Sequence, residues 1–198
     1  ESMSLATYLL SKSSKLTVGS SIANIYARDP FTAQRAMVSM NNFYGGRFVL
    51  GLGVSHIPMV EGLRGHRYDK PLGAMRAYLD GIHKGLPAGE EPPVMVAALG
   101  PKMLALSAEK SRGAVPYNVT PAHTAKAAAI LGPNKALAVE QKVTLETDPA
   151  RARALGRKEL SRYMVLPNYR NNWLREGFSE ADLADGGSDR FIDAMVLW

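Results

Sequence analysis

The chain has 198 residues, 46% of them hydrophobic and 21% charged, with no cysteine and a formal charge of +6. That length suits one domain spanning residues 1–198, and the balance excludes a disordered chain. The lack of cysteine excludes disulfides, thiol nucleophiles and cysteine metal sites, and agrees with a reducing, cytoplasmic setting.

Taken in order, Leu16–Ile22 reads as a strand. Asp29-Pro30 then supplies an N-cap and a first-turn proline. Apolar residues recur at Ala33, Ala36, Met37, Met40, Phe43 and Tyr44 until Gly45-Gly46 ends the helix. Phe48–Leu52 is a second strand, followed directly by the long polar loop Gly53–Lys70. Pro71–His83 has helical spacing, and Gly85–Pro93 is a surface excursion. Val94–Leu99 is a third strand, Lys102–Lys110 a helix, and Gly113–Val119 a weaker fourth strand. Thr120-Pro121 opens a helix that Gly132-Pro133 closes; Leu137–Leu145 is a fifth strand. Asp148-Pro149 opens a helix running to about Leu166, and the tail to Trp198 reads as short helices joined by a Gly186-Gly187 turn.

Strand followed by helix, repeated, predicts an α/β fold with a parallel sheet buried on both faces. Five such strands suit an open doubly wound sheet or most of a (β/α)8 barrel, which typically needs about 250 residues. Spacing alone leaves both open. No signal-peptide pattern is readable at Glu1, and Trp198 lies inside an apolar periodic segment, so a piece of a longer protein is expected.

In either fold, ligands sit at the C-terminal edge of the strands. The exits there, Ser21-Ile22-Ala23-Asn24, Gly51–His56 and Ala97–Lys102, are built from small residues that let backbone amides approach a ligand. The turn Ala98–Gly100 feeds a helix starting near Pro101, a phosphate seat in outline, to which Lys102 could add charge. The same small residues also suit plain tight turns. GLGVSH lacks the third glycine of a dinucleotide fingerprint. His56 stands just past a strand end, where an acid or base would be placed; a loop histidine bonded to backbone is the alternative. His83 and His123 read as solvated helix-end residues, and the four histidines have no metal-ligand spacing. The cluster Asn168–Trp173 reads as a polar helix surface or subunit contact rather than a pocket. The 24 Lys and Arg are scattered, which argues against a nucleic-acid partner, and no apolar run is long enough for a membrane span.

The run VGSSIANIYARDPFTAQRAMVSMNNFYGGRFVLGLGVSH, with AALGPKMLALSAEKSRGAVPYNVTPAHT, ETDPARARALGRKELSRYMVLPNYRNNWLREGF and GGSDRFIDAMVLW, resembles the bacterial-luciferase-like monooxygenase superfamily. The branch it looks most like uses the deazaflavin coenzyme F420. The resemblance implies a (β/α)8 TIM barrel, incomplete here, of which the chain supplies about strands 3 to 7. It further implies an oxidoreductase moving a hydride between coenzyme F420 and a small organic substrate, acting as a homodimer.

By local match the resemblance puts a non-proline cis peptide at Ser21–Ile22, against the central ring of the deazaflavin, with Ile22, Ala23 and Asn24 along that face. It puts Gly53 and Val54 near ring and tail, and Ala97, Ala98, Leu99, Gly100 and Pro101 at the cofactor's phosphate. His56 is the candidate proton donor or acceptor, although glucose-6-phosphate dehydrogenase relatives have an acidic residue there, so sugar-phosphate oxidation is unsupported. No metal ligands are expected. The rival readings are an FMN-dependent luciferase-like monooxygenase and a non-catalytic, degenerate barrel that binds a ligand or dimerises.

Overall fold

The computed structural model describes residues 1–87 and 89–198; Ala88, in the surface excursion read at Gly85–Pro93, lies outside the described residues. The chain opens with α1 (Ser2–Ser11), which the sequence reading leaves unassigned, capped by the Glu1 carboxylate accepting from the Met3 and Ser4 amides. Its apolar period is blurred because Leu5 and Tyr8 face outward. Of the predicted strand Leu16–Ile22 only β1 (Val18–Gly19) is laddered, and a second short strand, β2 (Ala23–Asn24), follows just beyond it. Between them the Ser21–Ile22 peptide is cis, at the position the resemblance implies.

Next come α2 (Pro30–Tyr44), β3 (Phe48–Gly53) and a π-helical turn (Pro58–Gly62) inside the segment read as a loop. They are followed by α3 (Pro71–His83), β4 (Val94–Val96), α4 (Pro101–Lys110) and β5 (Gly113–Ala114). The remainder is α5 (Pro121–Leu131), β6 (Ala136–Leu137), β7 (Lys142–Val143), α6 (Pro149–Met164), α7 (Pro167–Arg175), α8 (Glu180–Leu183), α9 (Asp189–Met195) and β8 (Val196–Leu197). The caps work as their residue types require. The Asp29, Thr120 and Asp148 side chains accept from the Thr32, His123 and Arg151 amides at 2.9, 3.1 and 2.8 Å.

All pairings are parallel. The order is β1-β3-β4-β5-β6, β2 also pairs β3, and β7 pairs β8. The sheet is a curled half-barrel with helices outside it, the TIM-barrel choice of the two left open by spacing. The terminal apolar segment is helical only to Met195; Val196–Leu197 leaves it as β8, paired in parallel with β7.

One hydrophobic core lies under α1, α2 and α3, with Phe48, Leu50, Leu52, Met75, Leu79 and Ile82 fully covered. A second, aromatic core joins α6, α7 and α9 around Trp173 and Phe191. At β3 the fit is close enough to demand glycine: a Cβ on Gly51 would sit 1.8 Å from the Ser20 carbonyl oxygen. The Ser20 hydroxyl also bridges the strands, accepting from the Gly51 amide at 3.0 Å and donating to its carbonyl at 2.9 Å.

Candidate active site

Chain segments leaving four parallel strands converge at one end of the half-barrel. After β1 comes Ile22; at the end of β3 and beyond it, Gly53 through His56; after β4, Ala97 through Leu99; after β5, Val115 and Tyr117. With Asn168 and Tyr169 of α7 these residues enclose a cavity of about 170 Å³. A second cavity, about 320 Å³, shares Ile22, His56, Ala97, Tyr117 and Tyr169 and adds Ser21, Glu140 and Tyr163. A third, about 500 Å³ and mostly apolar, runs from His56 past Pro58 and Tyr68 to Leu166 and Pro167. His56 lines all three, so they form one cleft around its ring.

Gly53 keeps this cleft open. A Cβ there would meet Ile22 Cδ1 and Cγ1 at 2.6 Å and Ala97 Cβ at 3.4 Å. Ser55 takes a left-handed backbone (φ 58°), which turns the chain away from β3 and leaves His56 half-buried at the cleft. Burial lowers the His56 pKa from its ordinary 6.5, against the opposite influence of Asn168, so the imidazole is neutral at neutral pH. Its ring lies 5.7 Å from that of Tyr169. Tyr169 in turn packs edge-on to Tyr163 at 5.0 Å and Tyr117 at 6.0 Å, with Trp173 behind it. Burial pushes the Tyr169 phenol well above its ordinary value.

The site residues read from sequence separate into three groups. Ser21, Ile22, Gly53, Val54, His56, Ala97, Ala98 and Leu99 line the cleft. Ala23 instead packs in the hydrophobic core, and the Asn24 carboxamide oxygen is taken by the Tyr26 amide at 2.9 Å. Gly100 and Pro101 lie at the N-terminus of α4, which has no side-chain cap. A guanidinium nitrogen of Arg175 lies 3.6 Å from where a Gly100 Cβ would be. The start of α4 thus has no side-chain cap on its first amides and a cation nearby, both of which favour negative charge there. Arg175, in a polar stretch of α7, gives no signal of this in the sequence.

Two expectations are corrected. His123 is not solvated: it is 3% exposed, its Nε2 bonded to the Leu99 carbonyl at 2.7 Å, because α5 presses its first turn against the exit of β4. The Asn168–Trp173 cluster is not an outer polar surface: Tyr169, Asn172 and Trp173 are buried, and Asn168 and Tyr169 line the cleft. Among the described residues no group of three His, Cys, Asp or Glu side chains could hold a metal, and no helix is long and apolar enough to cross a membrane.

A curled parallel sheet with its cleft at the strand exits is the arrangement of a TIM-type barrel. The chain belongs to the luciferase-like monooxygenase family, whose pattern it matches over residues 1–185. A Mycobacterium tuberculosis protein named as a coenzyme F420-dependent oxidoreductase is 32% identical over 56% of this chain and 42% of its own length, so the chain spans about two fifths of that relative. Among solved structures, an F420-dependent secondary alcohol dehydrogenase in complex with an F420-acetone adduct is similar with a TM-score of 0.71 at 12% identity, covering 100% of this chain and 70% of that one. The oxygenating constituent of 3,6-diketocamphane monooxygenase from Pseudomonas putida, in complex with FMN, is similar with a TM-score of 0.65 at 15% identity, covering 98% and 68%.

Proposed function

We propose that the protein is an oxidoreductase that uses coenzyme F420 and moves a hydride between the deazaflavin ring and a small organic substrate in the cleft around His56. The observation that carries this is the joint position, on one strand edge, of an open ring-sized cleft and a helix start that favours negative charge. Ile22, given room by Gly53, would back the ring. The backbone from Ala97 to Leu99 would run beside it, and the α4 start at Gly100 and Pro101, with Arg175, would take the phosphate. When bound, the deazaflavin supplies the two-electron chemistry. The protein's part is to orient the substrate and handle the proton. Pro58, Leu166 and Pro167 give one side of the cleft an apolar lining against which an organic substrate can pack. His56, neutral in its half-buried place, accepts the proton of a substrate being oxidised.

His56→Ala is therefore expected to lower kcat about 100-fold or more. In the wild type, turnover in the oxidising direction falls as pH drops through the His56 pKa, on the acid side of 6.5. Stability falls over the same window, because below 6.5 the unfolded chain binds the proton that the folded site resists. A His56→Ala enzyme with wild-type kcat and an unchanged acid limb would remove this role.

An FMN-dependent monooxygenase is the second reading, favoured by the likeness to the FMN-bound oxygenase. Oxygen consumption during turnover separates the two. A protein that binds either cofactor tightly yet turns over no substrate would instead be a binding barrel.

A further inference from the structure

Tyr117, Lys142 and Tyr163 come from three separate segments and meet at one edge of the cleft. Lys142 Nζ donates to the Tyr117 hydroxyl oxygen at 2.7 Å and to Glu159 Oε1 at 3.0 Å. It also sits 4.6 Å from the centre of the Tyr117 ring. An ammonium has only donors, so the Tyr117 oxygen must be the acceptor. The Tyr117 and Tyr163 hydroxyl oxygens are 2.6 Å apart. With Tyr163 donating in that pair, the Tyr117 oxygen takes two incoming hydrogen bonds and its own proton is left over. Tyr117 lines the cleft together with Ile22, His56 and Ala97. On the other side, Lys142 and Glu159 line an outer cavity of about 630 Å³ open to water. The cluster thus joins the cleft to solvent.

We propose that, where the substrate is a carbonyl compound, Tyr117 takes the proton-transfer role in place of His56, donating to the carbonyl oxygen, and that Lys142 is a positioning residue that stabilises the tyrosinate left behind. This rests on the deazaflavin reading above. A carbonyl carbon in the cleft gains a hydrogen and its electron pair from a reduced deazaflavin, which is thereby oxidised. The C=O π pair moves to oxygen, the Tyr117 O–H bond breaks, and its proton bonds to that oxygen. The products are an alcohol and a tyrosinate, and water reprotonates the tyrosinate by way of the Lys142 side. The surroundings suit the role. Burial holds the Tyr117 phenol above its ordinary value, helped by Glu140 and Glu159 and opposed by Tyr163 and Arg162, so the proton is present at neutral pH. Tyr163 is pushed up to about 12 by burial and by Tyr117. The Lys142 ammonium stabilises the tyrosinate relative to the phenol, which eases loss of the proton to substrate.

The test has two arms. In the first, the whole chain is labelled with carbon-13 at tyrosine Cζ and titrated by NMR without cofactor, with Tyr117→Phe identifying the Tyr117 signal. Lys142→Met should move the Tyr117 ionisation upward by about 1 pH unit or more, and Lys142→Arg should restore it. An unchanged titration in both variants overturns the pairing. In the second arm, reduced coenzyme F420 is reoxidised by acetone or cyclohexanone. Tyr117→Phe should lower kcat about 100-fold with little change in KM or deazaflavin affinity. Full activity in Tyr117→Phe, or a wild-type protein that binds the deazaflavin yet reduces neither ketone, overturns the proposal. Failure to bind any deazaflavin or flavin overturns the earlier functional reading instead, while the NMR arm still decides the Tyr117–Lys142 pairing.

Discussion

Trp173→Ala lowers the unfolding free energy by about 4 kcal/mol, the cost of emptying a large, fully enclosed aromatic site. Trp173 is 0% exposed and lies 4.9 Å, ring to ring, from Phe191. Its indole N–H donates to the Asn118 carbonyl at 2.9 Å, so the substitution also strips a partner from a buried acceptor. Asn118 holds a left-handed backbone (φ 53°) at the exit of β5, just before α5. Loosening it disturbs the path from Tyr117 to the Thr120 cap as well as the helical core. For a chain of this length the loss corresponds to roughly 10 °C in Tm, read by thermal or urea unfolding. A loss under about 1 kcal/mol would mean that the aromatic core is not organised around this ring.

Gly53→Val has its main effect on binding. Its Cβ would contact the end of Ile22 rather than backbone, so Ile22 can yield and the fold is kept at a cost of about 1–2 kcal/mol. Ile22 and the valine methyls then share space that the ring needs. Affinity for the deazaflavin is expected to drop at least about 10-fold, equivalent to 1.4 kcal/mol. A Gly53→Val protein that binds as tightly as wild type would place the ring elsewhere.

How much of this was legible in the sequence depends on how local the cause is. Asp29-Pro30, Thr120-Pro121 and Asp148-Pro149 fix helix starts within four residues, and the structure keeps all three as capped N-termini. Strand extents were overread: Val94–Leu99 is one apolar run, but only Val94–Val96 is laddered, because Ala97–Leu99 turns into the cleft. The small-residue exits pointed to the edge of the sheet where the cleft lies, because small side chains leave the backbone there open. The polar half of the cleft was not legible. Tyr117, Lys142, Tyr163 and Tyr169 are brought together only when the sheet curls and α6 and α7 fold back over its edge, and no spacing rule encodes that. For the same reason His123 looked solvated beside its cap, since what covers it is the distant carbonyl of Leu99.

The most direct test is a titration of the protein with coenzyme F420, and in parallel with FMN, followed by absorbance and fluorescence in the wild type and in Gly53→Val. The expected result is saturable binding, tighter for the deazaflavin, and weakened at least about 10-fold by the valine. Saturable binding of neither cofactor to the folded wild-type protein would contradict the assignment of the cleft.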